Sequence, residues 1–176
     1  MKLSSKTQTS FSLFLFALLS LFLFSGEARS QSQVYNFTAT DLVVNDMVYS
    51  AKRRVLYASV PSWGGVYGNH IIVYDPFSKQ VVDSEFVGSE PNKVAISDDE
   101  EVLYVGLDGA ASVRKVILET LTADLNFGLG AGSFGLHFPE DIVVLPGHNE
   151  SVAVSRRNMC CSPRHEGVAI FDNGVM

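Results

Sequence analysis

The feature that most limits what this 176-residue chain can fold into is a threefold self-similarity across its last two-thirds. Leu56-Tyr57-Ala58 returns as Leu103-Tyr104-Val105 and again as Val152-Ala153-Val154, a spacing of about 47 residues. The start of each copy recurs too, as Asn45-Asp46-Met47-Val48, Asn92-Lys93-Val94-Ala95 and Glu140-Asp141-Ile142-Val143. A later segment appears as Ile72-Val73-Tyr74-Asp75 and Ala169-Ile170-Phe171-Asp172, with Lys115-Val116-Ile117-Leu118 as a weaker middle version. The copies lie near residues 45–91, 92–139 and 140–176. A unit of this size cannot bury an apolar face alone, so the copies must stack, each covering the next.

Within a copy the pattern is strand, turn, strand, rich in the β-branched and aromatic residues that suit a pleated surface. The first copy predicts strands at Met47–Ser50, Val55–Val60, His70–Tyr74 and Gln80–Val87, with Pro76 in a turn because it has no N–H for a ladder. The second predicts Lys93–Ser97, Val102–Leu107, Ser112–Leu118 and Thr122–Leu129, with an acidic turn at Asp98-Asp99-Glu100-Glu101. The third runs from Asp141 through Ser151–Ser155 to Gly167–Asp172, and its fourth strand is missing. Four strands per repeat make a propeller blade. The expected fold is therefore all-β, a partial β-propeller of about three four-stranded blades with the last incomplete.

Val34-Tyr35-Asn36-Phe37 reads as an orphan outer strand, one half of the clasp with which many propellers close. Three blades are fewer than the about 4–8 of typical rings. The chain is accordingly expected to be a fragment of a larger ring. Completion by oligomerisation, or an open form whose edges invite pairing, are the alternatives.

Lys2 and Lys6 precede an apolar run from Phe11 to Phe24, too short for a membrane span of about 20 residues but suited to a secretory signal. Ala28-Arg29-Ser30 fits a cleavage site, so residues 1–30 are expected to be removed and 31–176 to form the repeat domain of a secreted protein with no stable membrane span. Removing Lys2, Lys6, Arg29 and Glu27 takes the net charge from −6 to −8. An acidic chain without a basic cluster excludes a nucleic-acid partner, because phosphate affinity comes largely from Lys and Arg. Export makes Asn36 and Asn149 candidate glycosylation sites, each in an N-x-[ST] triplet. Cys160 and Cys161 are the only cysteines. Two thiols in a surface loop are expected, with a bond between these neighbours, or between molecules, as the other readings.

Gly88-Ser89-Glu90-Pro91-Asn92-Lys93-Val94-Ala95-Ile96-Ser97, followed by Val102-Leu103-Tyr104-Val105-Gly106, resembles the repeats of YVTN-type and lactonase-like β-propellers. The resemblance covers about residues 34–174 and implies the fold. That superfamily includes surface-layer proteins, lactonases and cofactor-bearing oxidoreductases, so any activity carried over rests on analogy. An Asp matching Asp75 and Asp172 is absent at Leu118, and the long loops Pro61–His70 and Ser155–Glu166 have no counterpart in the second copy.

The positions that open each copy should line one rim of a central channel. They are Asn45, Asn92 and Glu140, followed by Asp46, Lys93 and Asp141. They are the candidate ligand-binding residues; the alternative is that they cap strand starts and bind water. The polar stretch from Ser155 to Glu166, with Arg156, Arg157, Arg164, His165 and both cysteines, is either an anion-binding loop or a solvated connection. Trp63 and Tyr67 could stack a sugar ring. No catalytic motif is present, and no cofactor or metal is expected. The expected function is a secreted module that binds an extracellular protein or small ligand, with self-association through open blade edges. The rival is a metal-dependent lactonase-like hydrolase holding a hard cation on Glu140, Asp141 and Asn92.

Overall fold

The computed structural model describes residues 39–176, and Asp41–Met176 form one compact unit. The expected signal segment, the orphan strand Val34–Phe37 and Asn36 lie outside the described residues. Thirteen strands follow in order: β1 (Asp46–Ser50), β2 (Val55–Ser59), β3 (His70–Asp75), β4 (Gln80–Phe86), β5 (Pro91–Ile96), β6 (Val102–Leu107), β7 (Ser112–Ile117), β8 (Thr122–Gly128), β9 (Ala131–Gly132), β10 (Gly135–Leu136), β11 (Phe138–Leu145), β12 (His148–Arg157) and β13 (His165–Asp172). They form two four-stranded antiparallel meanders, β1-β2-β3-β4 and β5-β6-β7-β8, a three-stranded sheet β11-β12-β13, and the small hairpin β9–β10. Among the described residues the third blade has three strands, as expected, and the sheets do not close into a ring.

The blades stack face to face about their first strands, for β5 lies against both β1 and β11. One apolar cluster joins Tyr57, Ile71 and Val73 of the first blade to Leu103, Val105 and Leu107 of the second. Another joins Tyr104, Val113 and Phe127 of the second to Val152, Val154 and Phe171 of the third. Strand β6 is thus covered on both sides, alternate residues serving opposite neighbours, which is why it reads as a continuous apolar run. Outer strand β8 has one face toward water and alternates accordingly, whereas in β4 the alternation is broken where its pairing with β3 shifts register.

The acidic turn expected only to connect strands proves to be a clamp. The Glu100 carboxylate accepts the Ser50 hydroxyl (2.5 Å) and the Ala51 and Lys52 N–H groups (3.1 and 3.0 Å) from the first blade. Toward the third blade, Asp98 accepts the Gly147 N–H at 2.9 Å and Asp99 accepts the Asn149 amide. The Ser50 hydroxyl and neighbouring N–H groups hold the Glu100 carboxyl below its usual range, and the Ser97 hydroxyl, with the Glu101 N–H and the Asn149 amide, does the same for Asp99.

Two sequence expectations need correction. Register places Tyr74 opposite Leu56, Val116 opposite Leu103 and Phe171 opposite Val152. The middle counterpart of Ile72-Val73-Tyr74-Asp75 is therefore Arg114-Lys115-Val116-Ile117, one residue earlier than apparent, because a short turn at Asp108–Ala111 replaces a long loop. The cysteines lie in a surface loop but are joined to each other as neighbours, not left as two thiols.

Candidate functional site

The starts of β1, β5 and β11 lie at the same end of the molecule as the connections β2–β3, β6–β7 and β12–β13, because antiparallel pairing sets the start of each first strand beside the end of the second. This end carries the sequence-predicted rim. Four of its six residues are brought together at the junction of the first two blades. Asn45 Nδ2 donates to the Pro91 carbonyl at 2.8 Å. Asp46 Oδ2 accepts the Val94 N–H at 3.1 Å and stands 4.0 Å from Lys93 Nζ. Asn92 donates through Nδ2 to Asp108 at 2.9 Å. Glu140 and Asp141 are exposed on β11 and are not bonded to the other four; Asp141 accepts the N–H of its neighbour Ile142 at 3.0 Å.

Asp108, which the sequence reading missed, and Arg157, which it placed in the polar loop and not at the rim, tie this junction to the third blade. Asp108 Oδ2 takes both the Asn92 amide and Arg157 Nη2 at 2.8 Å, while its Oδ1 is buried without a protein partner. A buried carboxylate oxygen in that position is one that water or a ligand donor would satisfy. Asp108 follows β6 directly, so only the register of the β6–β7 turn turns it toward Asn92; no local motif announces it.

The polar loop is organised from within. Asn158 is fully buried; its Oδ1 accepts the N–H groups of Cys160 and Cys161 at 3.1 and 2.8 Å, and its Nδ2 donates to Glu166 at 2.8 Å. Arg156 donates to the Leu129 and Glu166 carbonyls, each at 3.2 Å. With Arg157 on Asp108, two of the three arginines are committed inside the protein, so the loop does not gather them into an anion site. Trp63 and Tyr67 are likewise separated in role: Trp63 is exposed, whereas Tyr67 packs against Ala58, Val60 and Ile72. Among the described residues no group of three or more His, Cys, Asp or Glu side chains converges as metal ligands would. A depression of about 400 Å³ lined by Arg53, Arg54, Asp75 and Phe77 opens near the β1–β2 turn, away from the rim. Arg54 lies over the Phe77 ring at 4.6 Å, so its cation already has a partner there.

No family model matches the chain, and no curated protein matches it in sequence. Solved structures match in fold. Kuenenia stuttgartiensis hydrazine synthase is similar at a TM-score of 0.58 and 18% identity, over 79% of this chain and 35% of that one. Dihydro-heme d1 dehydrogenase NirN is similar at 0.53 and 14%, over 79% and 30%. The β-propeller domain of Swd1 from Myceliophteria thermophila is similar at 0.53 and 10%, over 79% and 41%. The chain thus spans well under half the length of each of these structures. At these identities the likeness concerns fold alone, and the fold is that of propeller blades.

Proposed function

We propose that this chain is a secreted β-propeller module, of the YVTN-type and lactonase-like kind, that binds an extracellular protein or small ligand at its rim. The observation that carries the reading is the polar junction of Asn45, Asp46, Asn92 and Lys93 with Asp108 and Arg157, in which one buried carboxylate oxygen still lacks a donor. Glu140 and Asp141 extend the rim along β11 and are free to meet a bulky ligand. Secretion rests on the apolar run ahead of Ser30, and glycans would sit on Asn36 and Asn149. At Asn149 the glycan would replace one hydrogen of the amide that donates to Asp99. The hydrolase reading has less support, since the Asn92 amide is turned to Asp108 and Glu140 and Asp141 have no third ligand beside them.

The test is a binding screen of the full chain against a glycan array and a panel of extracellular proteins, repeated with Lys93→Ala and Asp108→Asn. A ligand whose affinity falls at least tenfold in both variants, with unchanged circular dichroism, is the expected result. Robust turnover of any substrate by the protein alone would overturn it, as would ligand binding indifferent to both substitutions.

A further inference from the structure

The depression lined by Arg53, Arg54, Val55, Asp75, Phe77 and Val82 lies on the side of the first blade that faces the second. Val55 packs against the apolar cluster that the two blades share, and Asp75 stands two residues along β3 from Val73, which belongs to it. The β1–β2 and β3–β4 turns and the start of β4 build the site, at the end of the molecule opposite the rim. Two of its apolar walls are left in water: Phe77 is 64% and Val82 57% exposed. The second blade fills the same places differently. Val116 stands opposite Ala123 as Tyr74 stands opposite Val81, so Phe77 and Val82 correspond to Glu119 and Asp124. Arg54, just before Val55-Leu56, corresponds to Glu101, just before Val102-Leu103. Three surface carboxylates of one blade are thus, in the other, a guanidinium and two apolar groups. A face that only meets water needs no such exchange.

The arginine is held in place before any ligand arrives. Arg54 closes the β1–β2 turn, its N–H donating to the Ser50 carbonyl at 2.8 Å, with a φ of 60° that is uncommon outside glycine. Its guanidinium sits over the Phe77 ring, 4.6 Å from the centroid. That attraction is to a π face. Among the described residues no oxygen accepts a hydrogen bond from the Arg54 side chain, so its planar fork of N–H donors is unspent. Arg53 beside it is committed, donating to the Glu100 carbonyl. Asp75 is committed as well, its carboxylate accepting the Phe77 N–H at 2.8 Å. The Ser78 hydroxyl, and after it that N–H, hold the Asp75 carboxyl below its usual range. Asp75 is therefore ionised and engaged within its own turn, and the two arginines outweigh it by one positive charge.

We propose that this depression binds a small monocarboxylate with an apolar body. The carboxylate pairs with the unspent N–H fork of Arg54, and the body lies along Phe77, Val82 and Val55. A surplus of one positive charge suits a monoanion, and a flat two-oxygen group matches the edge of a guanidinium. The volume of about 400 Å³ falls within the range of roughly 300–1,000 Å³ for small-molecule sites, which pair apolar walls with a few placed polar groups. The site shares no residue with the rim, so what the rim binds has no bearing on it.

Isothermal titration calorimetry of the full chain with phenylpropanoate and hexanoate, each beside its neutral primary amide, tests this. Both carboxylates should bind saturably and their amides at least tenfold more weakly, because only the anion meets Arg54 with a charge. Arg54→Gln should lower carboxylate affinity at least tenfold, and Phe77→Glu, which copies the second blade, should abolish binding. Both should keep the parent's circular dichroism and unfolding midpoint, since the two side chains are exposed. Should either variant shift the midpoint, Val82→Asp in the same wall gives the second reading, with the loss expected of Phe77→Glu. Equal affinity for acid and amide would overturn the proposal, as would no saturable binding of either carboxylate at millimolar concentration. So would binding that survives Arg54→Gln but is lost in Lys93→Ala, which would put the carboxylate at the rim.

Discussion

Lys115 is the most heavily buried cation among the described residues, with a side chain 8% exposed, and both oxygens of Glu150 lie within 2.6 Å of its Nζ. Glu150 itself is half in water, at 50% exposure. This asymmetry decides what each substitution does. Removing the carboxylate leaves a buried ammonium with no counter-charge, whereas removing the lysine releases a carboxylate that water can solvate. Glu150→Ala should cost about 1–3 kcal/mol and Lys115→Met less than about 1 kcal/mol, the methionine filling the same channel. Urea denaturation of both variants checks this; equal losses would show that packing, not the unpaired charge, dominates. Near the same interface Tyr104 donates its hydroxyl to the Asn149 carbonyl at 2.9 Å. Burial, with the charges of Glu150, Asp172 and Asp124, pushes its phenol up to about 12. A raised phenol favours the neutral form in the folded state, so its stabilisation is intact below about pH 10 and is lost as pH rises toward 12.

Whole elements were more legible than the contacts between them. Strand positions follow from alternation and turn residues, and most expected strands match to within one or two residues. The shift in β7 escaped notice because the apolar run Val116-Ile117-Leu118 tolerates a one-residue slip in alignment, although a slip of the strand itself would exchange its two faces. The rim was half legible: repeat equivalence located the first strands, but equivalent residues need not do equivalent work once Lys93 replaces an aspartate. Gly106 illustrates the same limit. It occupies the place of Ser59 and Ser155, so sequence alone ranks it as a small polar position. In the folded chain a Cβ there would lie 2.8 Å from Pro139 Cγ and 3.3 Å from Ile142 Cδ1, so a bare backbone lets β11 approach β6. Gly106→Ala should destabilise by about 1–3 kcal/mol through overpacking between the second and third blades. A chemical-denaturation midpoint unchanged from the parent would mean that Pro139 can move aside.

At the scale of the whole molecule, stability in a stack of repeats is a sum over blades and the interfaces between neighbours. Among the described residues, only the second blade has a blade packed on each of its faces. Its β6 is buried from end to end, its acidic turn is bonded to both neighbours, and its β7 carries the buried lysine held by the third blade. The first and third blades each bury a single inter-blade face, and the outer strand β4 leaves Val82 and Phe86 exposed. Opening a terminal blade therefore breaks one interface, while opening the middle blade breaks two. Amide exchange should follow that count: slowest along β6 and the inner part of β7, faster in β2 and β12, fastest in β4 and in the loop from Met159 to Arg164. Hydrogen exchange read by mass spectrometry decides the matter. Protection in β4 equal to that in β6 would show that each blade holds itself together, and that the interfaces do not supply the stability assigned to them.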